Sequence, residues 1–207
     1  MNLAIIPARG GSKRIPRKNV KDFCGHPIIK YPIQEAKKSN LFDKIIVSTD
    51  DEEIAEIAKS YNVETPFLRP KEFSDDHSST VSVVVHAINF LKKEGYNFEN
   101  ICCIYPCSPL LRSQDLIASL NFMREMQCES CIPVCEFSSA PQKALKIKED
   151  GRLDWIYSDF KLSRTQDLEQ TYHDIGSFYW ATQARWLSED ISQGVGYIFN
   201  SSRVVDI

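Results

Sequence analysis

The sequence predicts an α/β fold, a three-layer α/β/α sandwich in which helices cover both faces of a mainly parallel sheet. Short apolar runs alternate with amphipathic stretches along the chain, which is the pattern of repeated strand–helix units. The run centred on Ile45–Val47 is apolar throughout, as expected of a strand that is covered on both faces. The 207 residues, 43% of them hydrophobic, suffice for a single domain over residues 1–207.

Hydrophobic periodicity divides the first half of the chain into elements. The acids at 50–53 precede an apolar stretch, and acids are favoured in the first turn of a helix because of the helix dipole. Apolar side chains between 80 and 93 fall in register for one buried helical stripe. The predicted strands are Leu3–Pro7, Lys44–Thr49 and Val63–Phe67, and the predicted helices are Ile28–Lys38, Ile54–Tyr61 and Thr80–Lys93.

The second half continues the alternation and then becomes polar. A polar segment at about 138–174 is expected to form a small lobe inserted outside the sheet. Within it, Asp150-Gly151 marks a turn between two short runs, which predicts a hairpin of 144–148 with 153–157. The predicted strands of this half are Ile101–Tyr105, Cys131–Phe137 and Ser177–Thr182, and the predicted helix is Ser113–Glu125.

The overall charge limits the classes of partner. A net charge of −3 argues against general affinity for nucleic acids or membrane surfaces. The apolar runs fall well short of the roughly 18 residues that a membrane span needs. The N-terminus does not have the pattern of a signal peptide, because its four-residue apolar run is followed by charge. We therefore expect a cytoplasmic protein.

Seven cysteines are an odd number for a disulfide framework, and reduced thiols are expected. Cys128 and Cys131, with Cys135 close behind, raise the hypothesis of a zinc site. A closed zinc site needs four ligands, however, and no second Cys-x-x-Cys is present in the sequence. Cysteines inside apolar runs are better explained as small core residues. These are Cys102, Cys103 and Cys135.

The most informative segment is the loop that follows the first predicted strand, residues 9–19. It holds two glycines, a serine and five cations, and no acid. Glycines let backbone N–H groups approach phosphate oxygens, and cations offset phosphate charge, so the loop predicts a site for a nucleoside triphosphate. The alternative is a solvated basic loop. The spacing does not match the Gly-x-x-x-x-Gly-Lys pattern of a Walker P-loop, which makes a kinase or an ATPase a poor fit.

Together with this loop, three motifs carry a resemblance to a known family: Ser48-Thr-Asp-Asp51, Leu68-Arg-Pro70 and Pro106–Arg112. The chain resembles the cytidylyltransferases that activate nine-carbon acidic sugars, the CMP-sialic acid synthetases and their bacterial relatives. Ser163–Leu168 and Tyr172–Gly176 look most like the pseudaminic acid branch of that family. The resemblance implies a Rossmann-like fold of the nucleotide-diphospho-sugar transferase type and a homodimer paired through the lobe.

The resemblance also implies a reaction and its nucleotide site. The partners would be CTP and a nine-carbon acidic sugar, whose anomeric hydroxyl attacks the α-phosphate and releases pyrophosphate. Lys18 and Arg9 are the catalytic candidates, with Lys18 on the developing charge; its alternative is a surface lysine. Arg69 could equally be a surface residue, and Thr80 a helix N-cap. The nucleotide-binding candidates are Arg9, Gly10, Gly11, Ser12, Lys13, Lys18, Asn19, Arg69 and Thr80.

For the acceptor sugar, Tyr105 stands where the sialic acid enzymes carry a glutamine, which argues against N-acetylneuraminic acid as the substrate. Its alternative is an aromatic that packs beneath the site. Arg164 would pair bidentately with the sugar carboxylate, or it is one of several exposed cations. The acceptor-binding candidates are Tyr105, Arg164, Gln166, Tyr172 and Asp174.

Magnesium is the expected cofactor, because a triphosphate needs a hard cation. The family carries an Asp-x-Asp pair after a strand, and Asp206 matches its first member while Ile207 ends the sequence. Asp206 is therefore a metal-ligand candidate without its expected partner. That departure leaves open a non-catalytic nucleotide- or sugar-binding module of the same fold. Sialic or legionaminic acid as the acceptor, and a transferase for an ordinary sugar phosphate, are further alternatives.

Overall fold

The computed structural model describes residues 1–75 and 78–204. Its strands are β1 (Asn2–Pro7), β2 (Asp22–Phe23), β3 (His26–Pro27), β4 (Lys44–Ser48), β5 (Asn100–Ile104), β6 (Ser130–Glu136), β7 (Leu145–Ile147), β8 (Leu153–Trp155), β9 (Tyr172–Asp174), β10 (Phe178–Thr182) and β11 (Val195–Phe199). Its α-helices are α1 (Lys30–Ser39), α2 (Glu52–Ser60), α3 (Thr80–Lys93), α4 (Ser113–Glu125) and α5 (Gln183–Leu187).

Seven strands form the central sheet, in the order β11-β6-β10-β5-β1-β4, with β9 also paired to β6. β1 is parallel to both β4 and β5, and β11 is parallel to β6. β10 is antiparallel to β5 and β6, and β9 is antiparallel to β6. Five strands thus share one direction, and the predicted mainly parallel α/β sheet is confirmed.

Two cores lie on opposite faces of this sheet because side chains alternate along each strand. On β1, Ala4 and Ile6 join one core while Leu3 and Ile5 join the other. The first core is completed by side chains of α1, α2 and α4, and the second by those of α3 and α5. The predicted three-layer sandwich is therefore confirmed. The cysteines predicted as core residues, Cys102, Cys103 and Cys135, are buried free thiols, and so is Cys131.

Most predicted elements are confirmed, but the strand predicted at Val63–Phe67 is wrong. Glu64 makes an isolated bridge to Ile46 of β4, and a second bridge joins Leu68, one residue beyond the predicted strand, to Thr49, one residue beyond β4. Pro66 lies between Glu64 and Leu68, and a proline has no N–H to donate to a ladder. β11, the hairpin of β2 with β3, and α5 were not predicted.

The predicted lobe needs one correction at its end. β7 and β8 pair as a separate antiparallel hairpin, as predicted. The last residues assigned to the lobe, Tyr172–Asp174, instead form β9 and belong to the central sheet through their pairing with β6. Large apolar side chains are exposed on the lobe, among them Ile147 at 75% and Leu162 at 92%. Within residues 1–75 and 78–204, no helix has the length and apolar character to cross a membrane.

Candidate active site

A cleft of about 1030 Å³ opens at the carboxyl ends of β1 and β5. Ligands of α/β sheets bind at this edge, because the loops that leave neighbouring parallel strands converge there. The segments that line the cleft include the basic loop after β1, residues between 69 and 75, Ser78 with the start of α3, the turn after β5, the break between β9 and β10, and the end of β11 with Arg203 and Val204 after it. Predicted site residues that line it are Arg9, Ser12, Lys13, Lys18, Asn19, Arg69, Thr80 and Tyr105.

The basic loop lies along the cleft, and its start is tied to the sheet. At its start, the N–H of Ala8 donates to the Ser48 carbonyl of the neighbouring strand at 2.9 Å. The Arg9 guanidinium crosses the cleft edge and donates to the carbonyl of Asp75 at 2.8 Å. Lys13 and Lys18 line the same cleft. With Arg14, which also lines the cleft, the loop brings four of its five cations to one cavity, as a site for a polyanion requires.

Asn19 ends the loop and is buried within its framework. Its Nδ2 donates to the carbonyl of Arg9 at 2.8 Å, and its Oδ1 accepts from the Cys107 thiol at 3.3 Å. Burial raises the pKa of Cys107 to about 11, which keeps the thiol protonated and able to donate. Asn19 therefore connects the two ends of the basic loop to the turn after β5.

The two glycines of the loop have different surroundings. The N–H of Gly10 donates to Oδ1 of Asp50 at 3.0 Å. A Cβ at Gly10 would collide with the carboxylate of Asp51, whereas a Cβ at Gly11 would meet nothing within 4 Å. The N–H of Gly10, expected to face phosphate, is thus already paired with a carboxylate. Close packing against the end of β4 accounts for glycine at this position.

Arg69 and Thr80 were each predicted with an alternative role, and both alternatives are wrong. Arg69 is not a surface residue, because it is only 5% exposed. Its Nε donates to the Ser74 hydroxyl at 3.2 Å, and burial lowers its pKa. Thr80 is not the N-cap of α3, because Ser79 accepts the capping bond from the Ser82 N–H at 3.0 Å.

A chain of side-chain contacts begins at Tyr105, which lines the cleft, and continues to Tyr179 and Asp174, which do not line it. The Tyr105 hydroxyl lies 2.7 Å from that of Thr80, and burial raises the pKa of Tyr105. The ring of Tyr105 packs edge-to-face on Tyr179, with 5.6 Å between centroids. The Tyr179 hydroxyl in turn donates to Asp174. Tyr105 therefore both lines the cleft and packs on an aromatic neighbour.

The remaining acceptor candidates lie outside the cleft. Arg164 donates to both carboxylate oxygens of Asp167, at 2.7 and 3.0 Å, and its side chain is 70% exposed. Gln166 is exposed on the lobe, and Tyr172 is exposed on β9. The structure does not bring these three residues to the cavity that Tyr105 lines.

The predicted metal ligand, Asp206, lies outside the described residues. Among residues 1–75 and 78–204, no cluster of three or more His, Cys, Asp or Glu side chains is arranged to hold a metal ion. Asp75 is the carboxylate that lines the cleft, and its Oδ1 accepts from the N–H and hydroxyl of Ser78, both at 2.7 Å.

Several charged residues at or near the cleft were not among the predicted site residues. Arg203 lines the cleft and is ion-paired with Asp115, the buried carboxylate of the first turn of α4. Arg17 does not line it but pairs with Asp51. The motif Ser48-Thr-Asp-Asp51 contained the relevant signal, because two acids that follow a strand beside a basic loop are placed to pair with it.

The fold and the cleft define a nucleotide-binding α/β protein, with loop cations at the carboxyl end of the first strand. The sequence profile of the family described as Cytidylyltransferase matches residues 3–172. The chain therefore belongs to the cytidylyltransferase family, whose members are nucleotidyltransferases.

Individual relatives agree with this assignment. The chain is 42% identical over 189 residues to the pseudaminic acid cytidylyltransferase of Campylobacter jejuni, covering 91% of this chain and 82% of the relative. It is 31% identical to the CMP-N,N'-diacetyllegionaminic acid synthase of Legionella pneumophila, covering 87% of this chain and 77% of that one. A solved structure of CMP:2-keto-3-deoxy-manno-octonic acid synthetase complexed with CTP superposes with a TM-score of 0.68 at 20% identity. It covers 91% of this chain and 76% of its own.

Proposed function

We propose that this protein couples CTP to pseudaminic acid and releases pyrophosphate. The observation that carries the proposal is the cleft itself, which brings the cations of the basic loop and the hydroxyl of Tyr105 to one cavity. A volume of about 1030 Å³ accommodates a nucleotide together with a sugar. The choice of acceptor is supported by the Campylobacter jejuni relative, which is named for pseudaminic acid.

The proposed reaction is a displacement at the α-phosphorus of CTP. The anomeric oxygen of the sugar forms the new P–O bond and loses its proton, while the bond to the β-phosphate oxygen breaks and pyrophosphate leaves. Phosphoryl transfer of this kind needs alignment and charge neutralisation more than covalent participation by the protein. Arg9 and Lys13 would hold phosphate oxygens, and Lys18 would stabilise the charge that develops in the transition state.

The acceptor would lie on the side of Tyr105. Thr80 and Tyr105 share a hydrogen bond, and Asp174 holds the hydroxyl of the neighbouring Tyr179. Buried hydroxyls of this kind discriminate among sugars because an analogue that cannot pair with them leaves a polar group unsatisfied. Arg164, Gln166 and Tyr172 lie away from this cavity, and their role in acceptor binding stays a prediction.

We also propose that Mg²⁺ accompanies the nucleotide and that the protein works as a homodimer in the cytoplasm. A triphosphate carries a high negative charge, and Mg²⁺ binds phosphate oxygens with one or two carboxylates. Asp206 remains the proposed ligand. The dimer proposal is supported by the apolar side chains exposed on the lobe, because large exposed apolar patches mark interaction surfaces.

The proposal is tested by incubating the protein with CTP, Mg²⁺ and pseudaminic acid and following pyrophosphate release. Parallel reactions contain N-acetylneuraminic acid, legionaminic acid or no sugar. We expect kcat/KM to be highest with pseudaminic acid and to vanish when EDTA removes the metal. Release with none of the sugars would refute the enzyme assignment and favour a binding module. A preference for either other sugar would refute the choice of acceptor.

A further inference from the structure

Arg17 occupies an unusual backbone conformation directly before Lys18. Its φ is 55° and its ψ is 31°, the left-handed region, and it precedes the short 3-10 helix Lys18–Val20. Residues other than glycine seldom adopt this conformation, which carries a steric cost for a side chain with a Cβ. Backbone hydrogen bonds hold part of this turn, among them Val20 N–H to the Arg17 carbonyl at 3.0 Å, and the Arg17 side chain adds contacts of its own.

Those contacts are two carboxylates at the start of α2. The guanidinium of Arg17 donates to both oxygens of Asp51, one of them at 3.2 Å, and to Glu53. The hydrogen bond to Asp51 raises the pKa of Arg17 and lowers that of Asp51. Two parallel bonds from a planar guanidinium fix orientation as well as distance.

Asp51 makes further contacts that fix its position. Its Oδ1 caps α2 by accepting from the Ile54 N–H at 3.1 Å. Its carboxylate also lies where the side chain of any residue other than glycine at position 10 would project. One carboxylate thus contacts the loop near its start, at Gly10, and near its end, at Arg17. The whole arrangement is attached to the end of α2.

We infer that Arg17 is a positioning residue that sets the place of Lys18 in the cleft. Arg17 does not line the cavity, whereas Lys18, the next residue, does. The inference rests on the proposed function, in which Lys18 acts on the transition state. Arg17 is called a positioning residue because it acts through Lys18 and does not contact the nucleotide.

The energetics separate this role from a purely structural one. The side chains of Arg17 and Glu53 are 39% and 66% exposed, and exposed ion pairs add little to global stability. A displacement of about 1 Å in a catalytic group, in contrast, lowers rates by about 100-fold. Loss of Arg17 is therefore expected to lower kcat by about 10- to 100-fold. The KM for CTP should change much less, because Arg9 and Lys13 also face the triphosphate.

The test uses Arg17→Ala, Asp51→Asn and the double variant in the pyrophosphate assay, with thermal melting of each protein. Asp51→Asn keeps an oxygen that caps α2, since asparagine caps as well as aspartate, but it removes the charge that faces Arg17. Both single variants should lower kcat with little change in melting temperature. The double variant should be no worse than the poorer single one, because the two residues act as one unit. Arg17→Lys should restore only part of kcat, since lysine keeps the charge without the fork.

The matched control is Lys59→Ala. Lys59 lies on α2 and, like Arg17, pairs with a carboxylate of this helix, Glu56, at 3.8 Å. It does not line the cleft. If Arg17→Ala has the same kcat as Lys59→Ala, the inference is overturned. It is also overturned if the losses in kcat of the two single variants add up in the double variant. If Arg17→Ala fails to fold, Asp51→Asn and Arg17→Lys carry the test. A wild-type protein that releases no pyrophosphate would overturn the proposed function and this inference with it.

Discussion

Tyr105 contacts a candidate from each proposed substrate site. Its hydroxyl is hydrogen-bonded to Thr80, a candidate for nucleotide binding, and its ring packs on Tyr179, which donates to the acceptor candidate Asp174. We predict that Tyr105→Phe raises the KM for the sugar by about 5- to 10-fold, because one hydrogen bond contributes about 1 kcal/mol. The KM for CTP should change less.

Steady-state kinetics with each substrate varied in turn measure this effect. Tyr96→Phe is the control, because Tyr96 stacks on Phe98 and does not line the cleft. Equal increases in both Michaelis constants would place Tyr105 outside the acceptor subsite.

Lys18 is the residue on which the proposed chemistry most depends. We predict that Lys18→Ala lowers kcat by two to three orders of magnitude, since losing one preorganised charge donor costs about 3–4 kcal/mol in the transition state. The exposed neighbour Lys21 supplies the control variant Lys21→Ala. Pyrophosphate release at saturating substrates measures the change, with melting curves to show that both variants fold. A wild-type rate in Lys18→Ala would remove this lysine from the mechanism.

At the level of single residues, sequence reasoning identified groups through local motifs and missed those defined by partners far along the chain. Composition identified the basic segment as a whole, and the resemblance to the family distinguished Arg9, Lys13 and Lys18 from its other cations. Arg203 is separated from Asp115 by 88 positions, and their pairing depends on where β11 and α4 meet. No periodicity or local composition reports such a contact.

Among the structural elements, the loop after β1 depends on tight packing at one glycine and not at the other. We predict that Gly10→Ala destabilises the protein by about 1–3 kcal/mol, because the new methyl group meets the carboxylate of Asp51 and overpacking costs this much. Asp51 cannot easily move away, since it caps α2 and binds Arg17.

Gly11→Ala is the matched comparison, because space is open there. Denaturant unfolding of both variants measures the difference in the free energy of unfolding. The packing explanation fails if the two variants unfold at the same denaturant concentration.

The elements that sequence patterns missed also have physical reasons. β11 escaped prediction because its exposed positions hold Gly196 and the apolar Ile198, so the sequence does not alternate between apolar and polar residues although burial alternates along the strand. A Cβ at Gly196 would approach the Val134 side chain of β6 to 3.2 Å. Packing against β6, and not local strand propensity, therefore explains the glycine. The segment 63–67 was apolar enough for a strand, but Pro66 limited it to isolated bridges. α3 and α4, whose apolar positions recur over several turns, were predicted with their observed bounds.

For the whole molecule, the exposed apolar surface of the lobe leads to a prediction about assembly. We predict a dimer in solution that Leu162→Asp converts to monomers, because a charge in an apolar contact is costly to desolvate. Met126→Asp is the control, since Met126 is also exposed, at 52%, but lies beyond the end of α4. Sedimentation velocity over a range of protein concentrations measures the oligomeric state. A wild-type monomer at every concentration would contradict the dimer.

The architecture was predictable from the sequence because apolar runs alternate repeatedly with amphipathic helices. Repeated strand–helix units of this kind form a mainly parallel sheet covered by helices. The cleft position followed from the basic loop at the end of β1. What could not be predicted was the distribution of the acceptor candidates. Arg164 and Tyr105 were assigned to one subsite, yet Arg164 pairs with Asp167 on the lobe while Tyr105 lines the cavity.

The position of β9 has a consequence for the behaviour of the protein in solution. This strand leaves the lobe, runs along β6 and ends at Asp174, whose carboxylate holds Tyr179 against Tyr105. Subunit association through the lobe would therefore restrain the same strand that shapes the proposed sugar subsite. Thermodynamic linkage is reciprocal, so a sugar that tightens this strand would strengthen association by the same factor by which association favours the sugar. Dilution would then weaken sugar affinity, and excess sugar would restore the assembled state.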